Sequence, residues 1–266
     1  MLQLLESKYG RKTAEVFRPQ LQEQYVVATC ADRPDLFDTC VAIEDEAWDA
    51  LGFLDYTPAH HAHYNELLAL FPDFHLCMLD TTTGDVVATG MCVPLCISVD
   101  QPLPDEGWDW VVNTACEQGG KQSNAIGALS ISVPASLRHR GLARDLINTM
   151  RALAGLNTFR QVIAPVRPSE KCRHPFVAMR EYIEWRDERG RIFDPWLRSH
   201  VSVGGRVEGV CDHSMVVEQP LEFWKRWIGD LDRDGPTSLA GALAPLVVEG
   251  GVGRYVEPNV WVRHAV

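Results

Sequence analysis

The residues of this chain best suited to chemistry lie together in Arg138-His139-Arg140-Gly141-Leu142-Ala143-Arg144. Three arginines surround a glycine and an alanine. Small residues let a ligand come close to the backbone. If a helix opens at Gly141, its first turn presents unpaired N–H groups and the positive end of the helix dipole. Such a turn binds anions, and a pyrophosphate suits it. The stretch has neither the GxxxxGK[ST] spacing of a nucleotide-phosphate loop nor the GxGxxG spacing of a dinucleotide site.

Elements of definite type must flank this turn. Residues 125–133, AIGALSISV, read as a strand stopped by Pro134, with Leu129, Ile131 and Val133 on one face. After Gly141, Leu142, Leu146, Met150 and Leu153 recur at helical spacing. Further strands are expected at 25–30, 76–79 with 86–97 as a hairpin, 161–165, 200–203, 211–217, 246–249 and 260–262. Helices are expected from Asp32 or Asp35 through Trp48, after the 60–63 histidines, over 108–116, over 176–189 and over 221–228. Alternating strands and helices make the class mixed α/β.

Composition narrows the partners. The 266 residues carry a net charge of −11. Residues 138–206 hold 14 Lys and Arg against 7 Asp and Glu, a net +7, so the remainder carries −18. An acidic chain repels a phosphate backbone, so nucleic acid is not an expected partner. The basic segment points to one anionic ligand. No apolar run approaches about 18 residues and no secretory h-region follows Met1, so no membrane partner and a cytoplasmic location are expected. The eight cysteines form no paired CxxC module, and His60, His61 and His63 lack a supporting ligand pair, so no metal is expected.

With strand, turn and helix in place, Arg138-His-Arg-Gly141-Leu-Ala143 resembles the acyl-CoA motif [Q/R]-x-x-G-x-[G/A] of the GNAT (Gcn5-related) N-acetyltransferase superfamily. The resemblance covers about 125–210. It implies a GNAT-like splayed mixed sheet flanked by helices, here enlarged at both ends. It implies that acetyl-CoA or another acyl-CoA is the co-substrate. The pantetheine would lie along Ile131 and Val133, and the pyrophosphate would be held by Arg138, His139, Arg140, Gly141, Leu142, Ala143 and Arg144. The helix from Phe176 would pack along the donor. The domain organisation then reads as a leader or helix over 1–24, the acyltransferase domain over 25–228, and an extension over 229–266 whose late strands pack on that domain.

In such enzymes an amine attacks the thioester directly, a base takes its proton and an acid protonates the thiolate. The resemblance puts His200, before Gly204, where many members carry a tyrosine acid, with Tyr182 as second choice. The strand carries no glutamate base, only Ser130 and Ser132, either of which could hold a water. Glu44 or Glu46, from the Glu44-Asp45-Glu46 run, could supply a carboxylate. Asp194-Pro-Trp196-Leu-Arg198 and Glu257-Pro-Asn-Val-Trp261 are candidates to line a substrate pocket or to pack.

The leading expectation is an acyl-CoA-dependent N-acyltransferase acting on a primary amine of a small molecule or peptide, favoured to be cationic by the acidic remainder. One alternative keeps the fold and takes the acyl group from an acyl carrier protein or a long-chain acyl-CoA. Another is a catalytically silent CoA-binding or interaction module.

Overall fold

The computed structural model describes residues 24–98, 101–229 and 234–266. Most of the expected leader, residues 1–23, lies outside the described residues.

Four strands start an antiparallel series: β1 (Tyr25–Thr29), β2 (His75–Asp80), β3 (Val86–Leu95) and β4 (Ala125–Ser132). Helices α1 (Phe37–Trp48) and α2 (Pro58–Leu70) connect β1 to β2, and α3 (Gly107–Gln118) connects β3 to β4. After β4, helix α4 (Leu142–Leu156) carries the chain back to β5 (Gln161–Val166), which lies parallel to β4. The single turn α5 (Met179–Tyr182) and helix α6 (Pro195–Ser202) follow. Then come β6 (Arg206–Pro220), α7 (Leu221–Ile228), β7 (Gly235–Thr237), β8 (Leu246–Glu249) and β9 (Val252–Ala265). The sheet order is β1-β2-β3-β4-β5-β9-β8-β7, with β6 also paired to β9.

This is the splayed mixed sheet with helices on its faces. One face is covered by α4, whose Leu142, Leu146, Met150 and Leu153 pack with Leu76, Met78, Ile126 and Val162. Each large apolar side chain so buried contributes about 1.5–3 kcal/mol. The other face carries α1, α2 and α3, with Leu67, Val111, Val112 and Trp108 around Leu95 and Leu129. The segment beyond residue 229 is part of the central sheet. Its long strand β9 bonds to β5 at one end and to β6 along most of its length. Helix α7 packs on the opposite end of β9, near Gly253. Trp224 is fully buried, its Nε1 donating to the Gly253 carbonyl at 3.0 Å, and a Cβ on Gly253 would stand 2.5 Å from the indole.

Two expected elements differ. The 200–203 strand is the end of helix α6: Pro195 opens that helix, and the Asp194 carboxylate caps it by accepting from Trp196 N and Leu197 N at 2.9 and 3.0 Å. The 176–189 helix is only one turn. Past Tyr182 the apolar residues stop recurring at helical spacing, and a small hairpin takes over. There Asp187 N donates to Arg191 O at 2.8 Å, Phe193 N to Trp185 O at 3.0 Å, and Gly190 turns the chain at φ +73. The 60–63 histidines also sit inside α2, whose N-cap Thr57 accepts from His60 N.

Candidate active site

Strands β4 and β5 are hydrogen-bonded only between Ala125–Gly127 and Gln161–Ile163. Beyond that they part. Ala128 to Val133 on one strand and Ala164 to Val166 on the other line a cleft of about 1150 Å³. The turn after β4 and the start of α4 line the same cleft.

A bulge shapes the β4 side. Met91 pairs with Ser130 and Cys92 with Ala128, so Leu129 is an extra residue with no partner on β3. The Trp108 indole donates to the Leu129 carbonyl at 3.1 Å. The extra residue breaks the simple alternation expected for this strand. Leu129 packs toward α2 and α3, while Ile131 and Val133 pack with the α4 side. Ser130 and Ser132 are left facing α1. Ser132 is buried and accepts from Trp48 Nε1 at 3.3 Å.

The arginine-rich turn has the conformation that its sequence suggests. His139 and Gly141 both have positive φ, +67 and +88. A Cβ at Gly141 would meet an Arg144 guanidinium nitrogen at 3.3 Å. Gly141 is the N-cap of α4, so the N–H groups of Leu142 and Ala143 lack intrahelical acceptors. Arg138, His139 and Arg144 are exposed and line the cleft. Arg138 also anchors the turn, its Nε donating to the Val133 carbonyl at 3.3 Å. The Leu142 side chain is buried, so only its backbone faces a ligand. Arg140 is exposed and stands outside the cleft lining. Backbone donors, the Arg138 and Arg144 guanidinium groups and the opened strand edge together suit a long ligand with a pyrophosphate at one end.

Carboxylates and aromatic rings occupy another part of the lining. Of the Glu44-Asp45-Glu46 run, only Glu44 is buried, at 8% exposure, and it lines the cleft; Asp45 and Glu46 are exposed. Burial pushes the Glu44 carboxyl above its ordinary range, and the nearby Ser130 hydroxyl and Tyr64 phenol draw it partly back. Ser130 Oγ is buried and has no hydrogen bond of normal geometry among the described residues. It is thus placed to hold a water or a substrate atom beside Glu44. His60 stacks on Tyr64 at 4.5 Å and on Trp108 at 5.7 Å. Its Nε2 lies 3.5 Å from Asp55, whose carboxyl is also raised by burial.

His200 reaches the cleft from α6. It is buried, and its Nδ1 shares a proton with His264 Nε2 at 2.9 Å. Burial first, and His264 second, push its pKa down to about 3, and burial pushes His264 down to about 4. Both rings are neutral at physiological pH, so His200 offers a hydrogen bond rather than an imidazolium proton. Tyr182 is in the core outside the cleft lining, donating to Asp194 Oδ2 at 2.9 Å. Both segments singled out around Trp196 and Glu257 border the cleft, through Pro195, Trp196, Glu257 and Asn259. Glu257 is fully buried, bound by Arg167 Nε at 2.5 Å and by the Tyr255 hydroxyl. The sequence reading missed Asp55, Tyr64, Trp108 and Arg167. Each is one residue on an ordinary-looking element, and only tertiary contact brings it to the site.

Comparisons with known proteins agree with this geometry. No family model matches the chain. An arginine N-acetyltransferase of Aspergillus versicolor, avaD, is 34% identical over 276 residues, spanning 91% of this chain and 94% of the relative. Among solved structures, the loading GNATL domain of CurA from Lyngbya majuscula superposes with a TM-score of 0.56 at 15% identity, covering 91% of this chain and 97% of that one. The GphF GNAT-like decarboxylase, in complex with isobutyryl-CoA, gives 0.54 at 17% identity, covering 91% and 99%.

Proposed function

The chain belongs to the GNAT superfamily and is an N-acyltransferase, and from that premise we propose that it transfers an acetyl group from acetyl-CoA to an amine of a small cationic acceptor, arginine or a compound bearing its side chain. The observation that carries the reading is the parting of β4 from β5 beyond Gly127 and Ile163, with the arginine-rich turn at the end of the opened strand. Pantetheine would run along Ile131 and Val133, with its pyrophosphate on the amides of Gly141 to Ala143 and on Arg138, His139 and Arg144. Arg140 would add long-range charge.

The acceptor would enter beside Glu44, Asp55 and the His60–Tyr64–Trp108 rings. Carboxylates and aromatic faces together attract a cation. The relative's arginine specificity and this chain's acidic remainder support the same class. The amine nitrogen attacks the thioester carbonyl carbon, forming C–N as C–S breaks. Glu44 takes the amine proton, directly or through a water held by Ser130 or Ser132. Its raised pKa suits a base working near neutral pH. An amide at the bulged part of β4 would face the developing oxyanion. The departing thiolate takes up a proton, and His200 would orient the sulfur with a neutral N–H. Tyr182 is assigned a supporting part, holding Asp194 and with it the cap of the helix that bears His200.

The test is a steady-state assay with acetyl-CoA and a panel of amines. Arginine-type acceptors should be preferred over neutral amines. Asp55→Asn should raise acceptor KM about tenfold while donor KM stays put, since one charge-assisted contact is worth about 1.5–3 kcal/mol. Equal turnover of neutral amines, or a rise in donor KM instead, would refute the acceptor assignment.

A second reading keeps the chemistry and changes the donor to an acyl carrier protein. The exposed arginines of the turn favour it, because an acidic carrier would dock there. Saturation by free acetyl-CoA at micromolar concentration would exclude it as the physiological requirement.

A further inference from the structure

Three of the eight cysteines meet at a point far apart in sequence. Cys30 follows β1, Cys40 is on α1 and Cys77 is on β2. Their sulfurs all lie within 4.8 Å of one another. Cys77 Sγ is 3.1 Å from Cys40 Sγ and 3.5 Å from Cys30 Sγ. All three are at most 3% exposed, and Leu36, Phe37 and Val86 close over them. A buried cysteine alone is an ordinary small hydrophobe. Three sulfurs converging from three elements are a ligand set. Around a zinc ion with Zn–S of about 2.3 Å, sulfurs stand about 3.8 Å apart, so small side-chain rotations would open the cluster to that spacing.

A second, independent observation sits beside it. His75 and Cys77 are two apart on β2 and so share a face, and Thr89 on β3 pairs directly with Cys77. The Thr89 hydroxyl donates to Leu76 O at 3.0 Å. It must therefore accept from His75 Nε2–H, at 3.2 Å. That fixes the His75 tautomer and leaves Nδ1 as a bare lone pair. His75 is fully buried, and Nδ1 has no partner among the described residues. A ring nitrogen oriented by a hydrogen bond on its other side is the usual arrangement around thiolate–imidazole metal centres.

We propose that Cys30, Cys40 and Cys77, with His75 beside them, form a structural site for a thiophilic d10 cation, Zn2+ or Cu+, that ties β1, α1 and β2 together. Binding releases the thiol protons to solvent and changes no oxidation state. Cys40 is four residues before Glu44, so both face inward from the same side of α1. The ion would thus brace the helix that brings Glu44 to the cleft. This assignment stands whether or not the acyl-transfer reading does.

The test uses the full chain purified under reducing conditions and reconstituted separately with Zn2+, Cu+ and Co2+. Elemental analysis should find one equivalent of zinc or copper per chain, and whichever ion survives a competing chelator is the native class. Cobalt should give the sulfur-to-metal charge-transfer band and strong visible bands of a tetrahedral thiolate site. Cys40→Ser and Cys77→Ser should each lose at least 90% of the metal, and Cys172→Ser should retain it. Should the two cluster variants misfold, the cobalt spectrum of the wild type still decides. Folded wild type with all thiols reduced that binds no stoichiometric metal would overturn the proposal, as would equal binding by the two cluster variants.

Discussion

The indole nitrogen of Trp108 donates to the carbonyl of Leu129 at 3.1 Å, at the extra residue of β4. One end of this bond is on the first turn of α3 and the other is on the strand that lines the cleft. It ties a helix to the backbone irregularity that turns Ile131 and Val133 away from Ser130 and Ser132. Trp108 also ends the stack through His60 to Tyr64, so the same side chain touches both strand and acceptor wall.

Trp108→Phe keeps an aromatic ring, removes the donor and also shortens the buried side chain by one fused ring. The Leu129 carbonyl is then left buried without its partner, at a cost of about 1–3 kcal/mol. Urea denaturation should show this loss, and kcat should fall about tenfold as the bulge relaxes. Unchanged stability would mean that the bulge is held by the β3–β4 ladder alone.

Glu44→Gln separates chemistry from stability. Removing a general base costs about 10²–10⁴ in rate. The carboxyl's pKa is raised by folding, so the native state binds a proton more tightly than the unfolded chain. Wild-type stability from this group is greatest below the unfolded glutamate pKa and declines as pH rises toward the folded value. The glutamine variant has no such decline. It should melt higher than wild type at pH 7, with the difference vanishing near pH 4, while turnover collapses. A variant less stable than wild type at pH 7 would show that the carboxylate is held by partners stronger than Ser130 and Tyr64.

These assignments show what the sequence makes legible. The β4–turn–α4 unit is readable because all its signals are local: a strand stopped by Pro134, a glycine among arginines at Gly141, and the apolar stripe Leu142, Leu146, Met150 and Leu153. The β2–β3 hairpin and α7 were readable for the same reason. The 200–203 segment looked like a strand because His200-Val201-Ser202-Val203 alternates, yet Asp194 and Pro195 upstream form a helix cap that dominates. The bulge at Leu129 left no mark, since one extra residue in AIGALSISV changes no residue type. Glu44 could not be told from Asp45 and Glu46 until the packing of α1 gave it the inward direction. The Cys30–Cys40–Cys77 cluster has no spacing signature at all, because β-pairing and a helix bring it together.

The buried imidazole pair gives an acid-side prediction. Folding lowers the pKa of both His200 and His264, to about 3 and about 4. The unfolded chain therefore binds more protons below about pH 6.5. Their contribution to stability is complete above that pH and is lost as pH falls, down to about 4 for His264 and about 3 for His200. His264→Gln should flatten the acid limb of a stability profile between pH 6.5 and 4. It should also leave the pH dependence of kcat near neutrality unchanged, because neither ring titrates there. An altered kcat profile around pH 7 would return His200 to the part of an acid.

The central claim is that the turn at Gly141 holds the pyrophosphate of an acyl-CoA, and thermal unfolding with and without acetyl-CoA, in wild type and Gly141→Glu, tests it most directly. At a hundredfold excess over Kd the ligand adds about 2.7 kcal/mol to the native state. That corresponds to a rise in Tm of roughly 5–10 °C for a chain of this size. The account predicts that shift in wild type and its loss in Gly141→Glu, where the new side chain brings a negative charge onto the anion site. A folded wild type with no shift for acetyl-CoA or CoA would contradict it, and so would an equal shift in both proteins.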